Sequence, residues 1–529
     1  MADLALRSYR QINHDYRDRL ETLIGTGDFN PFFLWHFFLF IGLSLSALLI
    51  PQRRGTRFLR PLVLCLTIGV ACDVILRRRS LLGGNGYMPG LLAAWWSIWC
   101  GTLLVFNDPE RDFQRIERRC LGAESNKAAG QDGDAVTSNT SKDPTLEEHL
   151  VWQPYPQRLA HRLNWTLGLL FNMRGPEWNW RLPTMDALPL SVQAQLGSSP
   201  SVRKPWSVAP TTCTVDGWSH LRAAFMGCLK AYLLLDVVKV LMMRDPYFFT
   251  GTVSPPPPAP FPISAILPDI PWAIRIYRLF LAGIGVFAAL SYVTAFNPII
   301  FLGLSLRFPN AARSLTAAPL DAPWLYPPAF GSCLPSLLDH GLAGCWVLWW
   351  HQLFRFGFTS SAKWLLSHLL PTRLATNRTV RRIATAVIGF GLSGLVHACG
   401  SYTQIAETHP IRDTCCFFLL QAVGIMIQDI LSSACSSIFF PSPRHPPPRW
   451  LRRTANLLFV FVWLAWSGPL VVDDFARSGL FLTEPLPVSL LRGVGLGTGT
   501  DGEGWWCWEG AWMRVWDGGS FWERGIRIM

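Results

Sequence analysis

Charge is what this chain has least of. Asp, Glu, Lys and Arg supply 16% of its 529 residues, while hydrophobic residues supply 50%; soluble domains carry about 25% charged residues. The shortfall argues against an ordinary soluble enzyme and points to a membrane protein. Paired cysteine motifs are missing as well. Thirteen cysteines include no CxxC, and many, among them Cys65, Cys72, Cys100, Cys228, Cys399 and Cys435, lie in apolar runs, where a free thiol behaves as a small hydrophobe. We therefore expect no disulfide framework, no zinc site and no other metal site. There is no GxxxxGK(S/T) loop to cradle nucleotide phosphates. A cleavable signal peptide is not expected, because the first thirty or so residues are polar and the first apolar run is too long for its hydrophobic region. The net charge of +12 fits cytosolic loops and an anionic lipid or phosphate-bearing partner, not nucleic acid.

What the chain has in place of charge is long apolar runs. They fall at roughly 31–50, 59–76, 87–106, 219–243, 272–305, 328–354, 383–400, 413–439 and 455–472, each long enough to cross or nearly cross about 30 Å of hydrocarbon. We expect an all-α, polytopic transmembrane helical protein with about eight spans, inserted by its first span, with the endoplasmic reticulum membrane as the default location for the class. Arginines flank the second span on both sides: Arg53, Arg54, Arg57 and Arg60 before it, Arg77, Arg78 and Arg79 after it. Both flanks of a spanning helix cannot be cytosolic, so either that helix is re-entrant or one cluster sits on the far side.

Four regions follow. Residues 1–106 hold the N-terminal membrane helices. Residues 107–217 form a long hydrophilic loop. It opens with a charged amphipathic helix candidate (NDPERDFQRIERR), has a disordered centre (GAESNKAAGQDGDAVTSNTSKDPT) and ends in a tryptophan- and arginine-rich segment, HRLNWTLGLLFNMRGPEWNW, suited to the headgroup layer. Residues 218–500 form a membrane-embedded core, interrupted by stiff proline-rich breaks near 254–262 and 441–450. Residues 501–529 are a tryptophan-rich tail with no clear period. Asn139, Asn164 and Asn377 fit the glycosylation sequon.

Two of the histidines within the greasy stretches stand out. His397 sits in IATAVIGFGLSGLVHACG. An ionisable group at membrane depth is costly and so tends to face a protein interior and act there. At helical spacing Gly389, Ser393, His397 and Ser401 share a face, with Gly394 and Ala398 beside it. Small residues let helices approach, which places His397 at a helix contact or cavity, with Ser393 one turn away to orient it. The alternative is an interior histidine that only bridges two helices. His351, in CWVLWWHQLFR, is ambiguous by itself: Trp346, Trp349, Trp350 and Arg355 read equally well as an aromatic belt with a snorkelling arginine. Acyl transfer from a thioester to an alcohol suits such a pair. It needs a base for the hydroxyl proton and a donor for the developing oxyanion, and no nucleophilic side chain.

Five segments, in this order and spacing, resemble the fungal wax-synthase-like branch of the membrane-bound O-acyltransferases. They are HRLNWTLGLLFNMRGPEWNW, LLLDVVKVLMMRDPYF, CWVLWWHQLFR, LSGLVHACG and LFLTEPLPVSLLRGVGLG, and the likeness covers most of residues 30–497. That branch includes terpenoid and meroterpenoid O-acetyltransferases. The resemblance implies that 218–500 is the acyltransferase core, that acyl-coenzyme A is the donor, and that an apolar alcohol is the acceptor. It also implies His397 as catalytic base and His351 as its polar partner. Trp350, Gln352, Arg355 and Ser393 are then the substrate-binding candidates, with Gln352 beside the acyl carbonyl and Arg355 toward the coenzyme phosphates. The chain departs from the family where Leu348 and Trp349 stand in place of a basic residue before the Trp-His-Gln triplet.

Two other functions compete: a long-chain wax ester synthase of the same branch, and a proton-coupled transporter with the histidines in a proton path. A transporter commonly shows repeated halves, and none is visible here. HxxxD occurs twice, at His14–Asp18 and His409–Asp413, and GxGxxG once at 497–502, all outside the contexts that give those patterns meaning. Asp429 is read as structural, and Asp236 and Lys239 as partners of one another.

Overall fold

The structure, a computed structural model, describes residues 8–120, 148–197, 216–250, 257–261, 263–266, 270–369, 371, 377–440 and 447–529. Its main helices are α1 (Tyr9–Gly25), α2 (Leu34–Leu49), α3 (Leu59–Arg77), α4 (Tyr87–Gly101), α5 (Gly217–Arg244), α6 (Pro271–Asn297), α7 (Cys333–Gly344), α8 (Arg355–Leu369), α9 (Arg378–Tyr402), α10 (Cys416–Phe439) and α11 (Arg449–Arg477). Among the described residues six helices are long and apolar enough to cross a membrane: Leu59–Arg77, Tyr87–Phe106, Pro271–Arg307, Arg378–Tyr402, Ile411–Phe439 and Arg449–Arg477.

Three of the nine apolar runs do not make such helices. The first forms only the sixteen-residue α2. The second, α5, carries Arg222, Lys230, Asp236, Lys239 and Arg244 along its length. The third, 328–354, is broken. Gly341 leaves the helical region at φ 59°, and a Cβ there would meet the Gln428 side chain at 2.1 Å. The backbone freed by the break is taken up by neighbours: Gln428 Oε1 accepts from Leu342 N–H at 2.8 Å, and Asn456 Nδ2 donates to the Leu338 carbonyl at 2.9 Å. Such repair is what permits irregular backbone at membrane depth.

The chain divides into two compact units, one comprising 1–107, 227–294 and 329–529, the other 108–226 and 295–328. In the first unit α4 and α9 cross with their backbones in contact. A Cβ on Gly90 would lie 2.0 Å from the Cys399 carbonyl oxygen, and one on Gly400 would strike the Tyr87 ring at 2.9 Å. This is the close approach expected from the small residues of α9. Gly394 packs similarly on Cys415. Arg78 and Arg79 are buried. Arg78 pairs with Asp73 at 2.8 Å, and Arg79 donates to the Ile75 and Arg78 carbonyls and lies over the Phe29 ring. Arg78 and Arg79 of the second cluster and Arg60 of the first are therefore internal, whereas Arg53, Arg54, Arg57 and Arg77 are exposed.

The closing segment locks onto α5. Asp236 accepts hydrogen bonds from Ser489 Oγ and, at 3.0 Å, Leu491 N–H. Lys239 donates to the Phe481 and Thr483 carbonyls at 2.6 and 3.0 Å. Asp236 and Lys239 thus serve the closing segment, not each other, because its exposed carbonyls and Ser489 offer closer partners. Arg492 makes a bidentate pair with Glu484 at 2.8 and 2.7 Å, and Arg278 one with Asp245 at 2.8 Å through both nitrogens. Short paired strands add what an all-α reading omits. Met513–Asp517 and Arg524–Ile528 form an antiparallel hairpin, fastened to α1 by Arg527–Glu21 at 2.5 Å and by Arg10–Glu509 at 2.8 Å. Asn30–Pro31 also pairs in parallel with Arg78–Arg79.

In the second unit the charged run NDPERDFQRIERR does not form the amphipathic helix expected of it. Only Pro109–Asp112 is helical, and Arg115–Cys120 is a strand paired with Glu148–Gln153. The strand wins because a partner completes its ladder, and because Arg115 and Glu117, two apart on one face, form an ion pair at 2.5 Å. Trp165, Trp178 and Trp180 are interior, the first two meeting edge to face at 4.8 Å. Asn164 is held by Arg115, Thr316 and the Leu315 carbonyl, and in the first unit Asn377 caps α9. The central hydrophilic stretch, Asn139 and parts of both proline-rich breaks lie outside the described residues.

Candidate active site

His397 lies one turn before the end of α9 and is half-buried. Its Nδ1 is 2.6 Å from the Tyr87 hydroxyl on α4, and one ring face stacks on Phe418 of α10 with centroids 4.5 Å apart and planes at 10°. Nε2 makes no hydrogen bond recorded among the described residues. The ring is therefore held by one nitrogen and one face, with the second nitrogen available. Ser393 sits one turn earlier on α9, as its spacing requires, but the ring's hydrogen-bond partner is Tyr87.

His351 is placed by the broken helix. After α7 the chain makes a π-helical turn, Cys345–Trp349, and Trp350 turns extended. The residues that follow hold this turn. Gln352 Nε2 donates to the Trp346 and Trp350 carbonyls at 3.1 and 2.5 Å, while Arg355 Nη1 donates to the Val347 carbonyl and to Gln352 Oε1, both at 2.7 Å. These contacts satisfy carbonyls that the broken helix would otherwise orphan. Trp346 Nε1 donates to the buried Gln421 at 3.3 Å. The His351 ring meets Trp350 at 5.5 Å and Phe354 edge-on at 5.8 Å.

The two imidazoles lie within electrostatic range of one another. A chain of ring contacts joins them: His397 to Phe418, Phe418 to Trp346 at 6.3 Å, Trp346 to Trp350 at 5.9 Å, and Trp350 to His351. Two titratable rings linked by an aromatic wall can take a proton at one point and donate a hydrogen bond at another. Trp350 belongs to that wall.

Tyr87, Phe418 and Gln421 were missed by sequence reasoning. Tyr87 had a faint signal, being a hydroxyl-bearing ring that opens an apolar run after Gly-Gly-Asn-Gly. Its partner lies 310 residues away. The two HxxxD matches dissolve: His14 is exposed, and Asp413 pairs with Arg477 at 3.0 Å. In the GxGxxG loop, Glu503 accepts the Thr498 and Gly499 N–H groups at 2.7 and 3.0 Å, so its own carboxylate fills the place a phosphate would take. Asp429 makes an exposed ion pair with Arg382 at 2.9 Å. A surface cleft lined by Ser8, Tyr9, Met243, Arg244, Phe249 and Thr498 contains neither histidine.

Residues 326–420, which include both histidines, match the model of the membrane bound O-acyl transferase family. The chain is also similar to the O-mevalon transferase macI of Penicillium terrestre, with 25% identity over 315 residues, covering 58% of this chain and 61% of that protein. It is similar to the O-mevalon transferase yanI of Aspergillus niger, with 24% identity, covering 62% and 64%. A third relative is the acetyltransferase spyB of Aspergillus fumigatus, with 28% identity over 186 residues, covering 31% of this chain and 29% of that protein. The chain spans about three-fifths of the length of the first two relatives. No solved structure matches.

Proposed function

We propose that this chain, a multi-pass membrane protein related to the membrane bound O-acyl transferases, moves an acyl group, acetyl in our reading, from acyl-coenzyme A to a hydroxyl of an apolar small molecule. A terpenoid or meroterpenoid alcohol of secondary metabolism fits best. The observation that carries the reading is the half-buried His397, fixed through Nδ1 and Phe418 with Nε2 unspent and joined to His351 by a chain of aromatic contacts. The relatives' names support transfer of an acetyl or mevalon group in fungi, and the aromatic lining suits an apolar acceptor.

In this mechanism His397 Nε2 takes the acceptor's hydroxyl proton as the oxygen attacks the thioester carbon. His351 donates to the carbonyl oxygen as negative charge gathers there. The carbon–oxygen bond forms, the carbon–sulfur bond breaks, and the imidazolium returns its proton to the departing thiolate. Gln352 and Arg355 hold the turn that presents His351, and Trp350 and Ser393 border the acceptor. The proposed location is the endoplasmic reticulum membrane. The exposed Arg53, Arg54 and Arg57 carry the cytosolic assignment, since Arg78 and Arg79 are spent internally.

The test is release of free coenzyme A by the purified protein in detergent, with a panel of terpenoid alcohols and acetyl-coenzyme A as donor. His397→Ala is expected to lower turnover by about 100- to 10,000-fold with the thermal midpoint unchanged. Full turnover by that variant removes His397 from the mechanism. Proton-coupled uptake into vesicles without thioester consumption replaces the enzyme reading with a transporter.

A further inference from the structure

An imidazole is a base at Nε2 only in the tautomer that carries its hydrogen on Nδ1. The 2.6 Å contact between Tyr87 Oη and His397 Nδ1 admits two arrangements. If the tyrosine donates, the neutral ring keeps its hydrogen on Nε2 and has no lone pair to offer there. If Nδ1–H donates, Nε2 is free to accept a proton. What decides is the direction in which the tyrosine's own O–H points. Tyr87 is 3% exposed, so bulk water does not set it.

A carboxylate stands where it can. Asp474, near the end of α11, is fully buried and lies within electrostatic reach of the Tyr87 hydroxyl. Its Oδ2 accepts hydrogen bonds from Ser401 Oγ at 2.7 Å and Thr414 Oγ1 at 2.8 Å. Its Oδ1 is buried and accepts none. Buried polar atoms are rarely left so without a reason. Ser401 is one turn beyond His397 on α9, and Phe475, the residue after Asp474, packs edge-on against the Tyr87 ring at 5.4 Å. Three helices thus bring the imidazole, the phenol and the carboxylate to one place. The adjacent acid, Asp413, is already paired with Arg477 at 3.0 Å, whereas Asp474 keeps an uncommitted carboxylate oxygen.

We infer that Tyr87 and Asp474 are positioning residues that set the His397 tautomer: the buried carboxylate turns the tyrosine O–H toward itself, so the phenol oxygen accepts from Nδ1–H and Nε2 is left as the base. The inference rests on the reading of His397 as the base. No proton travels along the chain. The acceptor's proton goes to Nε2, Nδ1 keeps its hydrogen on Tyr87 Oη, the tyrosine keeps its own, and Asp474 keeps its charge. The imidazolium that forms then faces an oriented dipole backed by a negative charge, which favours it in a medium of low dielectric.

The test uses the full-length protein in detergent with acetyl-coenzyme A and an alcohol that the wild type turns over. Tyr87→Phe keeps the ring against Gly400 and Phe475 and removes only the oxygen. It is expected to lower kcat by about 10- to 1,000-fold while KM for either substrate stays within about twofold. Asp474→Asn keeps the shape and removes the charge, and is expected to act in the same direction. Because the two act through one hydrogen, the double variant is expected to be no slower than Tyr87→Phe alone within about threefold. A merely structural role predicts losses that multiply and that track the thermal midpoint. Wild-type kcat in Tyr87→Phe, or multiplied losses in the double variant, overturns the inference. If Asp474→Asn does not accumulate, Tyr87→Phe decides alone by its kcat-against-KM split. His397→Ala separates the two levels: inactive His397→Ala with fully active Tyr87→Phe leaves the acyltransferase reading standing and removes the relay, whereas active His397→Ala removes both.

Discussion

Two buried polar clusters of the larger unit invite comparison. In one, Asp236, Lys239, Glu484, Ser489 and Arg492 join α5 to the closing segment, and nearly every donor and acceptor is answered. In the other, Tyr87, His397 and Asp474 bring α4, α9 and α11 together, yet an imidazole nitrogen and a carboxylate oxygen remain uncommitted. The residue types are similar and both lie inside an apolar chain. The difference is in what is left over. A cluster whose hydrogen bonds are spent stabilises one conformation. A cluster that leaves polar atoms uncommitted gives up stability, which the base role proposed for His397 would explain. Resemblance to a family singles out the first cluster and, of the second, His397 alone; the hydrogen-bond partners are what distinguish the two.

That contrast can be broken at several points. The largest effect on folding is expected at Arg492→Ala, which takes the bidentate partner from Glu484 and leaves Lys239 Nζ, 3.8 Å away, as its nearest cation. Breaking a buried pair in this way costs about 3–5 kcal/mol, so yield and thermal midpoint in detergent should collapse together, and activity should fall only in proportion to the folded fraction. Activity lost at full folded yield would move Arg492 from clamp to site. A smaller effect is expected at Gly90→Ala. Its Cβ would stand 2.0 Å from a backbone carbonyl, forcing α4 off α9 at a cost of about 1–3 kcal/mol. Since the same movement draws Tyr87 from His397, turnover per folded molecule should drop as well, measured by coenzyme A release against the circular dichroism midpoint. Unchanged turnover would mean that the 2.6 Å contact is not required. The smallest effect is expected at Asp429→Asn. Its ion pair with Arg382 is exposed on both sides, so the change in stability should stay within about 0.5 kcal/mol and turnover should be unaffected. A loss of activity there would make Asp429 a site residue.

Much of this was legible before any fold was known. The scarcity of charge and the length of the apolar runs announce a helical membrane protein, and six of the nine runs became helices able to cross. The face of α9 that carries His397 was readable because helical period and residue size are local properties. The runs that went otherwise did so through distant partners. Residues 328–354 read as one apolar span, but Gln428 and Asn456 take over the backbone of a break at Gly341. The charged run after residue 107 read as a helix, but its pairing strand lies beyond a long insertion. Gln352 and Arg355 read as substrate contacts from their place beside His351, yet their recorded hydrogen bonds go to the turn that carries it. The tail had no period because half of its pattern belongs to a hairpin seated on α1.

Composition and spacing alone determined that the chain lives in a bilayer, which helix face is small and polar, and which two imidazoles are costly to bury. These follow from solvation, and solvation can be summed along a sequence. Tertiary structure alone decided which nitrogen of His397 is held and by whom. A hydrogen bond between residues 87 and 397 depends on how closely α4 and α9 cross, and that distance is set by Gly90 and Gly400 meeting atoms hundreds of residues away.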